Sequence, residues 1–522
     1  MPGLMTQATD VKKKEIPVSV EKFKGMQSNR PVQAVDLDAF SYLLNMNFVN
    51  DDAITSRKGS SLHMSNAVVG NKAIVFGTQF IRSGQITGKI IFITSDGNLY
   101  QRDQGTGSAP SLISSLTNTS PTLVGMQIYK NSLHIADGKD WFEWDGTTLT
   151  NRTGDLPTVD NRGDIVDVIA TTSRLFIFTS TGWCFASVPG SIDMLTEANG
   201  AQTLDIGVND GTKIMSAALW SNTIVVNKGN ESTYQYSMHW IRGIGSTSDP
   251  FTVKHFLGDR KSPIAFIGRS AVQVGTDMIG LTPLGVTTLS AINNFQEANA
   301  DPVSEDIFNY IKQITWSVPH KIQAVYDSET RQYLLAVPAF GASKCNLIFV
   351  YDTYKDRWAL YNNWTVRCWI PNKDKMLYGN ESGQMIQINS GESDLGSGYQ
   401  KIADTGDNPF LYPDIIKYFK SVGLDIGHQG SYNLYVTPIV NGDATNSTAI
   451  PIMLKSGSSL WDKFIWDKDR WDGSGNTKAS PYILARGKTL RLRFYNDQPN
   501  QPYTINSLTY RVYQKDSGAA KA

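Results

Sequence analysis

Cysteine is nearly absent from this chain: Cys184, Cys345 and Cys368 are the only three in 522 residues. Three thiols cannot all pair within one chain, so no disulfide framework is expected, and folding in a reducing compartment fits better. Charge is scarce too, at 18% of residues, and it is balanced at 48 acidic and 48 basic side chains. No overall field therefore draws the protein to nucleic acid or to an anionic membrane. Long apolar runs are missing, and none approaches the roughly 18 residues that a membrane helix needs. The N-terminus carries Lys12 to Lys14 with no apolar segment behind them, so no signal peptide is expected. Without one, Asn-x-Ser/Thr triplets such as Asn363-Trp364-Thr365 read as chance.

Catalytic patterns are also wanting. The six histidines (His63, His134, His239, His255, His320 and His428) show no pair at the spacing that binds a metal from one helix. No Gly-x-Ser-x-Gly elbow, Walker loop or Gly-x-Gly-x-x-Gly fingerprint occurs. Thr94 to Tyr100 has the look of the Asp-box turn of sialidase-type propellers, but its Asp-Gly register is one residue short and Tyr stands in place of Trp. Such a box is a structural turn in any case. No enzyme, cofactor or metal is expected.

What is present is Gly, Ser, Thr, Asn and aromatic residues, the composition of an all-β protein with many turns. From about Lys72 to Asn389, short apolar runs are broken by polar turns. KIIFITSDGNLYQR places Asp96-Gly97 between two strands, and Asp-Gly is a strong hairpin signal. Similar turns follow at Asp137-Gly138, Asp145-Gly146, Thr181-Gly182, Lys228 to Glu231, Thr276 to Gly280 and Gly379 to Gly383. Blade-length units of roughly 40 to 50 residues predict a β-propeller of about five to seven blades. Residues 345–371, CNLIFVYDTYKDRWALYNNWTVRCWIP, read as blade strands in which Tyr351, Trp358 and Tyr361 supply packing surface rather than a ligand cage.

DPVSEDIFNYIKQITW breaks the pattern and predicts one short amphipathic helix, with Ser304 as N-cap and Ile307, Phe308, Ile311 and Ile314 on one face. The polar stretch Ser390 to Asp407 reads as a boundary. Beyond it, LRLRF sets Leu490, Leu492 and Phe494 on one face and Arg491 and Arg493 on the other, predicting a sandwich-like β domain. LWDKFIWDKDRWDG repeats Trp461, Trp466 and Trp471 at a spacing that matches neither helix nor strand. A self-packed loop is the plain expectation. With Arg470, these tryptophans are also candidate subunit-interface anchors.

Three features occur in order: an N-terminal stretch with Gly25, Pro31, Asn45, Asn47, Arg57 and Gly59; blade-like repeats including VYDTYKDRWALY; and the LWDKFIWDKDRW loop. This order resembles the nozzle (tail-hub) proteins of short-tailed bacteriophages, related to tail tubular protein B and to packaged-DNA stabilisation proteins. The likeness spans about Phe23 to Tyr513. It implies a structural virion protein, assembled in the host cytoplasm, that forms a hexameric conduit beneath the portal adaptor. Its implied partners are the adaptor above, needle, fibre or spike proteins, and double-stranded DNA that passes without sequence-specific binding. The expected layout is a flexible arm (1–22), a region bracing the propeller (23–65), the propeller (66–395) and a β platform (396–522). The rival expectation is a propeller that acts as a glycan-binding adhesin or a polysaccharide hydrolase of a phage tail or cell surface.

Overall fold

A computed structural model describes residues 14–48, 52–85, 87–104, 107–230, 235–246, 249–258, 265–295, 302–372, 375–410, 413–455 and 474–514. The chain forms two compact units and passes between them after Lys58, Asp356, Leu360 and Gly391.

The unit of residues 59–356 and 361–391 is a β-propeller. Among the described residues, six sheets lie wholly within it. Four are four-stranded meanders that begin with the strands Ile74–Phe80, Gly125–Tyr129, Ile165–Ala170 and Lys213–Trp220. A three-stranded sheet runs from Val272–Val274 to Gly285–Thr288. The last pairs Val366–Asn372, Lys375–Asn380 and Met385–Ile388 with Ser60–Met64, so its fourth strand comes from the other end of the unit's sequence. Between these two sits the meander Gln323–Asp327, Gln332–Val337 and Leu347–Asp352. The first strand of each meander lies against that of the next, and Val366–Asn372 returns against Ile74–Phe80 to complete a ring. Gly77 makes that junction close, because a Cβ there would stand 2.8 Å from Ile370 Cδ1.

The hairpins follow the sequence signals in kind, though not always in register. Gly97 takes φ +79°, beside an Asp96 carboxylate that accepts from Thr94 Oγ1 at 2.6 Å and from Asn98 Nδ2 at 3.1 Å. Lys228, expected at a turn, lies inside the strand Thr223–Asn230, and residues 231–234 fall outside the described set. Gly280 is likewise mid-strand, with the turn at Gly275 and Thr276. The amphipathic helix is cut short. Glu305–Ile307 is a 3-10 turn and Phe308–Ile311 a single α turn. Ser304 does not cap it: its Oγ accepts from Val286 N at 2.9 Å. A further helix, Leu289–Phe295, carried no sequence signal that we read.

In the other unit, residues 1–58, 357–360 and 392–522, the described strands fall in two sheets. In one, Tyr503–Gln514 and Lys417–Gln429 pair along their lengths, flanked by Ile54–Ser56 with Met46–Phe48 and by Ser474–Ala479. In the other, Phe40–Leu44, Lys401–Thr405, Leu490–Asn496, Tyr432–Val440 and Ile450–Leu454 lie side by side. Leu490, Leu492 and Phe494 are buried as the alternation predicts. Of the expected arm (1–22), residues 1–13 lie outside the described set, and Lys14–Val20 is a strand that pairs antiparallel with Tyr503–Gln514, Val20 opposite Leu508. Within the boundary stretch Ser390 to Asp407 the chain changes unit after Gly391, and Lys401–Thr405 is an inner strand whose Lys401 and Ala403 are fully buried. Among the described residues, no helix is long and apolar enough to cross a membrane.

Candidate functional site

Two of the N-terminal motif residues, Asn45 and Arg57, meet in one buried clasp. Asn45 ends its strand with φ 55°, a conformation Asn tolerates better than most residues. Its Nδ2 donates to Gln400 O at 2.7 Å, and its Oδ1 accepts from Arg57 Nε at 2.9 Å. Arg57, 1% exposed, donates through Nη1 to Lys58 O at 2.9 Å and grips Asp394 with both terminal nitrogens, at 3.0 and 2.5 Å. This two-pronged carboxylate contact suits the planar guanidinium. Its carbon lies 4.0 Å from the Tyr399 ring centroid, and the Tyr399 hydroxyl donates to Arg57 O at 2.5 Å. Burial raises the Tyr399 phenol well above its ordinary pKa. Lys401, next along, donates to Gln498 O at 2.8 Å; burial, aided by the Arg57 charge, lowers its pKa to about 8. Gly25 belongs to the same unit, and a Cβ there would meet Trp358 N at 2.6 Å. These residues are framework, with their polar atoms turned on one another.

Side chains from several sheets also meet near the centre of the propeller. Asp167, 1% exposed, accepts from Val168 N and from Ala217 N on the next sheet, both at 2.9 Å. Arg269 Nη2 lies 3.1 Å from the same carboxylate, an ion pair without hydrogen-bond alignment. The Arg269 guanidinium also stands 5.0 Å from the Phe76 ring, on the first sheet. A side chain rooted between the fourth and fifth sheets can touch the first and third only across the centre of the ring. Side chains therefore occupy the passage that a propeller can leave open.

Residues 345–371 are packing, not a cage: Trp358, Tyr361 and Trp364 are 1–2% exposed, and Tyr361 meets Trp364 edge-on at 5.5 Å. The thiols offer no nucleophile. All three are free and buried, and burial pushes Cys345 and Cys368 up to about 12. His63, His134 and His320 are lowered to about 4 and His239 to about 3, in each case mainly by burial, so these imidazoles are neutral at pH 7. Among the described residues, no group of three or more His, Cys, Asp or Glu could hold a metal ion. The interface candidates Trp461, Trp466, Arg470 and Trp471 lie outside the described residues.

Two of the openings among the described residues are polar and roomy. One, of about 360 Å³ in the propeller, is lined by Asp327, Glu329, Lys375 and Asn389 among others. The larger, of about 640 Å³ in the other unit, is lined by Asn47, Thr55, Lys58, Glu392, His428 and Asn476 among others. No sequence signal marks it, because its lining runs from Asn47 to Asn506 in widely separated segments and only Asn47 belongs to the N-terminal motif.

No protein-family model and no curated protein matches the chain. Among solved structures, the WD40 β-propeller domain of Doa1 is 8% identical, with a TM-score of 0.39 over 63% of this chain and 96% of that one. YCF48 bound to a D1 peptide is 10% identical, with a TM-score of 0.38 over 66% and 97%. BBS1N in complex with ARL6DN is 12% identical, with a TM-score of 0.41 over 65% and 99%. These likenesses concern the propeller as a fold and nothing more.

Proposed function

We propose that this chain is the tail nozzle protein of a short-tailed bacteriophage. In this reading it is a structural virion component that forms a hexamer beneath the portal adaptor. The ring retains packaged double-stranded DNA, passes it during ejection and carries needle, fibre or spike proteins. The observation that carries the reading is the motif itself. Gly25, Asn45 and Arg57, on which the resemblance begins, serve as buried framework rather than as a reacting or ligand-gripping centre. The Arg269 contacts near the propeller's centre fit this reading, because a ring of subunits, and not the bore of one propeller, would form the conduit.

Negative-stain electron microscopy of the purified protein, alone and with the portal–adaptor complex from the same source, tests the proposal. Six-fold rings or tubes with a central channel are expected, alone or on the adaptor. Monomers that ignore the adaptor would remove the nozzle reading. Trp461→Ala combined with Trp466→Ala should block assembly and leave the monomer's melting transition in place.

A further inference from the structure

We propose that the polar cleft in the unit of residues 1–58, 357–360 and 392–522 binds a neutral, hydroxyl-rich polysaccharide segment laid across its strands. The proposal does not depend on the nozzle reading. Strand register places the cleft residues in one transverse row. Asn47 lies opposite Thr55, Thr55 opposite Thr504, Thr504 opposite Gly427, and Gly427 opposite Asn476. Neighbouring strands lie about 4.8 Å apart, so the row runs about 19 Å. Each step is close to the length of one sugar unit in an extended chain.

The side chains in this row are amides and hydroxyls, which both donate and accept, as sugar hydroxyls do. The Thr55 and Thr504 hydroxyls already pair at 2.7 Å. Asn506 is added by a bulge: Asp425 faces Ser507 while Ile426 faces Ile505, leaving Asn506 as the extra residue at the cleft. Gly427 forms the floor. A Cβ there would stand 3.3 Å from both Asn476 Oδ1 and Thr504 Cβ, so the missing side chain keeps the row level, and an interior strand glycine often marks the close approach of a ligand.

Charge decides between ligand classes. Among the described residues that line the cleft, the one lysine, Lys58, is paired with Glu392, so a phosphate backbone would find no unpaired lysine or arginine among them. The described lining residues form no large apolar face for a lipid.

Calorimetry on the full chain, with linear hexasaccharides of glucose, N-acetylglucosamine, mannose and rhamnose, tests this. Inorganic phosphate and a short DNA duplex serve as charged controls. At least one hexasaccharide should bind, the controls should not, and Asn476→Ala or Thr504→Val should weaken binding about tenfold. Gly427→Val should abolish it, with a melting curve to verify folding. Silence from all four sugars at millimolar concentration, or unchanged affinity in Asn476→Ala and Thr504→Val, overturns the proposal. Silence together with an assembly split by Asn476→Trp would assign the cleft to a second copy of this chain and overturn it equally. Rings that form normally while sugars fail would sink this inference and leave the nozzle reading standing.

Discussion

Each of the two units buries a lysine completely, and the two are solved differently. In the propeller, Lys228 donates to Ile206 O at 2.8 Å, Gly207 O at 2.6 Å and the Asp210 carboxylate at 2.8 Å. Burial lowers its pKa and Asp210 pushes back. In the other unit, Lys401 has the Gln498 carbonyl and the Tyr399 ring at 4.6 Å, with the Arg57 cation adding to its difficulty. Its pKa falls to about 8. An anion built in beside a buried cation offsets part of the burial penalty, as Asp210 does for Lys228. Without one, the cation sits near the point of release.

The sharpest way to break this contrast is Arg57→Leu. It leaves Asp394 buried without its partner and Asn45 Oδ1 without its donor, so a loss of about 3–5 kcal/mol is expected in chemical denaturation. Lys228→Met should cost less, about 2 kcal/mol, because Asp210 is 33% exposed and water can take over part of its solvation. Equal losses from both variants would show that the carboxylate's burial does not set the penalty. Lys401→Met should be the mildest, within about 1 kcal/mol at neutral pH, since removing an unpaired buried charge offsets the lost hydrogen bonds.

The same lysine gives a pH signature. The folded pKa of about 8 lies below the ordinary value of 10.5, so between these values the unfolded chain holds a proton that the folded chain has released. Stability from this group therefore rises with pH across that window and is flat below it. The wild-type protein should gain roughly 2 kcal/mol relative to Lys401→Met between about pH 8 and pH 10. A parallel pair of curves would mean that Lys401 titrates normally.

The repeats of the propeller were legible because their contacts are local. Asp96-Gly97 joins Lys89–Thr94 to Asn98–Asp103, and turn chemistry and strand pairing are settled within fifteen residues. The misplaced turns at Lys228 and Gly280 have the opposite cause. Both residues have turn-like neighbours, yet Lys228 is held by Ile206 and Gly207, just past the last strand of the preceding sheet, and Gly280 lies where a Cβ would press 2.4 Å from the Phe266 ring. The helix beginning at Ser304 failed for a similar reason, since Val286 N claims the hydroxyl meant for the cap.

By itself, the sequence determined an all-β chain of meanders, the alternation of Leu490, Leu492 and Phe494, and a motif around Asn45 and Arg57 that asks for an explanation. Only the tertiary structure decided what that motif does. The bond from Asn45 to Gln400 spans 355 residues, and the row from Asn47 to Asn476 draws on five strands. Local propensity and turn type carry no information about which distant strands become neighbours. That choice is made by burying both sheets' apolar faces at once, which fixes the register and, with it, which polar side chains come to stand together.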